Sequence, residues 1–120
     1  MWNWITRGFE HLVKATGYAL AGLRAAVRHE EAFRQVLVAL AIAVPTALWL
    51  GKTGIERALL IGSCLLVIVV ELVNSSIEAV VNRIGPERNE LSGRAKDLGS
   101  AAVFCAIVLA IVVWILVLTG

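Results

Sequence analysis

Charge is missing from the last stretch of this chain: between Leu98 and Gly120 there is no Asp, Glu, Lys or Arg. An uncharged run of that length excludes a solvated C-terminal helix. Cysteine is scarce as well. Cys64 and Cys105 are the only two, and both lie inside apolar runs. That excludes a disulfide framework or a thiolate metal centre and leaves two small buried residues. Histidine occurs only as His11 and His29, so there is no imidazole cluster. The phosphate-cradling patterns GxxxxGK[ST] and GxGxxG are absent, which excludes a soluble-type kinase site. The start, Met1-Trp-Asn-Trp-Ile-Thr-Arg7, lacks the unbroken apolar core and cleavage site of a signal peptide. No segment is of low complexity, and none repeats another.

What the chain has instead is apolar residues in blocks. Of its 120 residues 59% are hydrophobic, and the mean hydropathy is +0.83. The blocks imply an all-α membrane protein of one domain, residues 1–120. So short a chain cannot wall off a large polar cavity alone, so a homo-oligomer is expected.

The net charge of +2 conceals an asymmetry. Basic residues fall into three clusters that alternate with the apolar blocks: Arg7 to Arg34, then Lys52 and Arg57, then Arg83 to Lys96. Nine of the eleven Lys and Arg belong to the first and third clusters. The positive-inside rule therefore places both in the cytoplasm, with Lys52 and the C-terminus outside. No nucleic-acid partner is expected.

In chain order, residues 3–28 read as an amphipathic helix. Ile5, Phe9, Leu12, Thr16, Leu20, Leu23 and Val27 cluster opposite Arg7 and Lys14, and Trp2, Trp4 and Tyr18 add interfacial rings. Such a helix lies on a membrane rather than crossing it. Spans are expected at about 33–50, 55–84 and 95–119. Pro45 removes a backbone donor within the first and can bend it. Trp49 and Trp114 mark interfaces. Gly85-Pro86 ends the second span, Glu87–Arg94 reads as a polar loop, and Gly99, Ala102, Ala106 and Ala110 form a small-residue stripe.

The second span is longer than the hydrocarbon core, so its last turns project into water. At 100° per residue, Asn74, Glu78 and Asn82 fall about 300°, 340° and 20° round from Glu71. Two carboxylates and two amides thus share one stripe, with the two Glu about 10 Å apart along the axis. Ionisable groups in a span mark a functional site by default, against the blander reading of a polar seam between helices. With Glu30, Glu31, Arg94, Lys96 and Asp97 they converge at the cytoplasmic interface, where an aqueous cosubstrate can meet a lipid headgroup. Carboxylates without thiols suit Mg²⁺ with phosphate oxygens, and a neighbouring lysine suits phosphate. Phosphoryl transfer needs little beyond positioning, charge neutralisation and a proton acceptor. Glu71, the deepest, is the natural base. From the residues alone, a membrane enzyme and a proton-coupled carrier both remain open.

Ala32-Phe-Arg-Gln35, Val70-Glu-Leu-Val-Asn-Ser-Ser-Ile-Glu-Ala-Val-Val81 and Glu90-Leu-Ser-Gly-Arg-Ala-Lys-Asp-Leu-Gly-Ser-Ala-Ala102 resemble the prokaryotic diacylglycerol kinase family, its Gram-negative branch above all. The undecaprenol kinases of Gram-positive bacteria are looser relatives and the runner-up reading. A small non-enzymatic carrier or assembly subunit is a third.

The resemblance implies a homotrimer of three-span subunits, each with an N-terminal surface helix, and sites formed between subunits. It implies transfer of the ATP γ-phosphate to diacylglycerol with Mg²⁺, giving phosphatidic acid. By motif, Glu71 is the base, and Glu30 and Glu78 are the metal ligands. Tyr18, Glu30, Asn74, Glu78, Glu87, Arg88, Asn89, Lys96 and Asp97 contact ATP. Ala15, Thr16, Gly17, Tyr18, Arg24, Glu71, Ser100 and Trp114 contact the lipid substrate. The chain departs from the pattern at His11, where relatives can carry Arg, at Asn82, where Asp is usual, and at Arg88-Asn89.

Overall fold

The amphipathic pattern at the N-terminus becomes a helix, α1, Trp2–His29, in a computed structural model that describes residues 2–85, 87 and 89–120. Of α1 only Ala26 is buried; Trp2, Trp4, Phe9, Leu12 and Leu20 all stay exposed. A lone helix with its apolar face uncovered does not repay its ordering cost in water, and a membrane surface supplies the missing cover. Thr16, on that face, donates its hydroxyl to the Leu12 carbonyl at 2.9 Å and so carries no unsatisfied polar group into lipid.

Glu30 alone separates α1 from α2, Glu31–Leu50, and the chain turns sharply there. Phe33 and Ala47 anchor α2, at 1% and 0% exposure. The helix continues through Pro45. A turn at Gly51–Thr53 reverses the chain. Arg57 Nε donates to the Leu48 carbonyl at 3.2 Å. Thr53 Oγ1 accepts from the Glu56 N–H at 3.1 Å, an N-cap for α3, Gly54–Ile84. A Cβ on Gly51 would meet Arg57 Cγ at 2.5 Å and the Ala47 carbonyl at 2.9 Å, so the turn closes only with glycine.

The core of α3 is Leu60, Ser63, Val67, Glu71 and Asn74. Steps of three and four residues keep these on one face. They look onto α4, Glu90–Thr119, which runs antiparallel. Two contacts fix the register. Near one end, Gly99 lies against the Asn74 amide; near the other, Trp114 Nε1 donates to the Leu60 carbonyl at 3.1 Å. Val67 and Ala106, both buried, fall between them. Of the small-residue stripe, Gly99 and Ala106 are buried, Ala110 is half-buried and Ala102 is exposed.

The expected polar loop is shorter than its composition implies. Gly85, at φ 157° and ψ 162°, ends α3 in a backbone region that favours glycine. Asn89 then accepts the Leu91 and Ser92 N–H groups at 2.9 and 3.2 Å, so α4 starts at Glu90, five residues before the expected span. Helices α2, α3 and α4 are each long and apolar enough to cross a membrane. The radius of gyration is 18.1 Å, against about 13–14 Å for a compact chain of this length. The α1–α2 corner, the end of α3 and the start of α4 all meet at one end, and that end carries most of the Arg and Lys.

Candidate active site

Burial falls stepwise along the polar stripe of α3. Glu71 and Asn74 are 5% and 7% exposed, Glu78 is half-buried and Asn82 is exposed. The helix therefore emerges over about three turns, as its length requires. Asn74 Nδ2 donates to Glu78 Oε1 at 3.4 Å. Its Oδ1 is buried, faces Gly99 and has no partner among the described residues. No residue larger than glycine would leave room for the amide there, which gives Gly99 a role beyond close helix approach.

Glu30 reaches the same region from the α1–α2 corner. It is half-buried and, with His29, Leu72, Ser75 and Ala79, lines a groove of about 760 Å³ between the end of α1 and α3. Glu78 and Glu30 are the charges close enough to act on Glu71. Among the described residues, no group of three or more His, Cys, Asp or Glu side chains is placed to hold a metal ion. A sparse carboxylate set with an unpartnered amide oxygen beside it fits Mg²⁺, which takes one or two carboxylates and completes its shell with phosphate oxygens and water.

A second pocket, of about 540 Å³, opens next to the stripe where α3 gives way to α4. Its walls include Asn82, Glu87, Asn89, Ser92, Gly93 and Lys96. Expected nucleotide contacts from both sides of the loop thus come together, with Asn82 added. Asn89 commits its carboxamide oxygen to the α4 cap and has only its NH₂ to offer. Arg94 pairs with Glu90 at 3.4 Å on the surface. Arg88, also expected to contact nucleotide, lies outside the described residues.

Asp97 does not line this pocket. It lies about 200° round α4 from Gly99 and so points away from α3 of its own chain. Ala15, Thr16, Gly17, Tyr18 and Arg24 sit on exposed α1, and Ser100 is exposed beside Gly99. Trp114 is half-buried about 22 Å farther along α4 than Gly99, its indole N–H already used. One chain therefore unites Glu71, Asn74, Glu78 and Glu30, and places Lys96 nearby. It does not unite the lipid set.

Ser75 was not singled out by the sequence, yet its hydroxyl is buried with no partner among the described residues. Its neighbour Ser76 is satisfied by the Val73 carbonyl at 2.6 Å. Nothing in a Ser-Ser pair tells which one a second helix will cover.

A family model described as prokaryotic diacylglycerol kinase matches residues 17–118. The diacylglycerol kinase of Escherichia coli K12 is 56% identical over 113 residues, covering 94% of this chain and 93% of its own. That of Haemophilus influenzae is 50% identical over 109 residues, covering 91% and 92%. That of Pseudomonas aeruginosa is 48% identical over 113 residues, covering 94% and 92%.

Proposed function

This chain belongs to the prokaryotic diacylglycerol kinase family, and on that premise we propose that it transfers the γ-phosphate of ATP to diacylglycerol. It is a multi-pass membrane protein; the inner membrane, a cytoplasmic N-terminus and a homotrimeric assembly belong to the proposal. The observation that carries it is Glu71, a carboxylate 5% exposed on a membrane helix, two turns below the half-buried Glu78.

In this reading the diacylglycerol hydroxyl approaches Glu71 from the lipid side. Glu71 accepts the hydroxyl proton as the oxygen bonds to the γ-phosphorus. The bond from that phosphorus to the β-phosphate oxygen breaks, and ADP leaves. Glu30 and Glu78 would hold Mg²⁺, which when bound neutralises charge on the phosphates. Asn74 orients Glu78 through its NH₂ group. Lys96 adds a positive charge beside the pocket at the end of α3. Depth matters in this arrangement: a buried base meets the lipid alcohol, while bulk water is kept from competing.

The decisive experiment supplies one purified preparation with Mg²⁺-ATP and either diacylglycerol or undecaprenol. Phosphatidic acid from the first, well above product from the second, supports the proposal. Preference for undecaprenol would transfer the site to the other lipid alcohol. No ATP consumption with either, alongside ion-dependent transport, would point to a carrier.

A further inference from the structure

Arg34 makes no ion pair among the described residues, although Glu30 and Glu31 are close in sequence. Its Nη1 instead reaches back across the α1–α2 corner, donating to the Val27 carbonyl at 2.8 Å and the Arg28 carbonyl at 3.2 Å. The last four carbonyls of a helix have no partner within it. In α1 these belong to Ala26, Val27, Arg28 and His29. The Glu30 N–H takes the first at 3.0 Å, and Arg34 takes the next two. A cation at a helix C-terminus also complements its dipole.

The clamp encloses Glu30. Its N–H is held by Ala26, and its carbonyl accepts the Arg34 N–H at 3.2 Å. Its backbone is extended, at φ −112° and ψ 104°, and its side chain makes no capping bond. A one-residue link between two helices swings on two dihedrals unless something fixes the helices at both ends. Buried Ala26 and Phe33 hold the corner from within, and Arg34 Nη1 holds it from outside.

We propose that Arg34 is the positioning residue for Glu30: by bridging the end of α1 it sets where the Glu30 carboxylate stands relative to Glu71 and Glu78. This rests on the reading of Glu30 as a ligand of the metal-nucleotide. Arg34 is assigned no part in the chemistry itself: it acts through Glu30. A groove-side carboxylate on a hinge would otherwise spend much of its time out of reach. Groups that orient a ligand rather than bind the metal typically contribute 10–100-fold to affinity. Both bonds come from one nitrogen, Nη1; the planar guanidinium holds that nitrogen in a fixed orientation, whereas a lysine ammonium on its flexible stem would bridge the two carbonyls less firmly.

The test uses the full-length, assembled protein with diacylglycerol and Mg²⁺-ATP. It compares Arg34→Gln, Arg34→Lys, Glu30→Gln and the Arg34→Gln/Glu30→Gln double variant. Arg34→Gln is expected to raise the Mg²⁺ concentration for half-maximal rate about tenfold, with kcat at saturating Mg²⁺ largely kept. Arg34→Lys should fall between it and the parent. In the Glu30→Gln background, Arg34→Gln should cost almost nothing further in kcat/KM. Hydrogen exchange at the last turn of α1 should quicken in both Arg34 variants. If Arg34→Gln does not assemble, Arg34→Lys carries the same comparisons. An equal penalty with and without Glu30 would overturn the proposal, because Arg34 would then act elsewhere. So would unchanged exchange in Arg34→Gln. A Glu30→Gln variant with the parent's Mg²⁺ dependence would sink the metal reading instead; the kcat/KM cycle and the exchange rates would still judge the positioning.

Discussion

At the residue scale, Glu71 and Asn74 carry the cost of this site, because polar groups on a membrane helix lose water and gain little. Glu71→Gln retains shape and polarity and removes the proton acceptor. It should lower kcat about 10²–10⁴-fold, the usual range for general-base loss. KM for ATP should hardly change, since Glu71 lies two turns below Glu78. A polar seam would accept Gln nearly as well as Glu, so a variant that keeps most of its kcat refutes the base assignment. Gly99→Ala tests the neighbouring contact. The new Cβ would run into Asn74 Oδ1 and come within 3.2 Å of Asn74 Cγ. The amide must swing away from Glu78, at about 1–3 kcal/mol for overpacking. Thermal stability and activity should both fall. Adding Asn74→Ala should recover the stability and leave the activity low. The sequence showed Gly99 as one small residue in a stripe. That its partner is a carboxamide depends on the register between two helices, which no single helix encodes.

At the element scale, α3 was the most legible part of the chain. Its polar groups recur at helical spacing, so one face could be read directly, and the burial gradient from Glu71 to Asn82 follows that reading. The start of α4 was less legible. Glu87–Arg94 is polar throughout and resembles a loop, but the Asn89 cap satisfies two N–H groups and turns Glu90–Arg94 into helix. The Arg34 clamp was not legible, since a contact seven residues back across a corner exists only once the angle between α1 and α2 is set. Helix α1 was legible as amphipathic, and its apolar face is exposed in the chain, with Leu12 62% and Leu20 57% uncovered. Glu at both positions would place charge where lipid is expected and reverse about 2 kcal/mol of burial at each. Use of the lipid substrate should suffer while the three spans still insert. Unchanged activity with membrane-embedded substrate would show that this face does not meet lipid.

At the scale of the whole molecule, one chain holds the base and its carboxylate neighbours and leaves the rest of the expected site scattered. Asp97 faces away from α3, Trp114 packs at the far end of the helix pair, and Ala15 to Tyr18 sit exposed on α1. The proposed homotrimer would solve this geometry: in a ring of identical subunits each head-to-tail interface could bring Asp97 of one subunit to Glu71 of the next. Mixing two inactive variants tests the arrangement. Glu71→Gln subunits lack the base but keep Asp97; Asp97→Asn subunits lack Asp97 but keep the base. Neither alone should phosphorylate diacylglycerol at more than a small fraction of the parent rate. If sites are shared between neighbours, an interface works when an Asp97→Asn subunit supplies Glu71 and a Glu71→Gln subunit supplies Asp97. In randomly mixed rings from equal amounts, about a quarter of the interfaces meet that condition. Activity should therefore recover to about a quarter of the parent's when the two are unfolded and reassembled together, and not when they are assembled separately and then mixed. A site complete within one chain predicts no recovery by either route, and that result would end the shared-site reading.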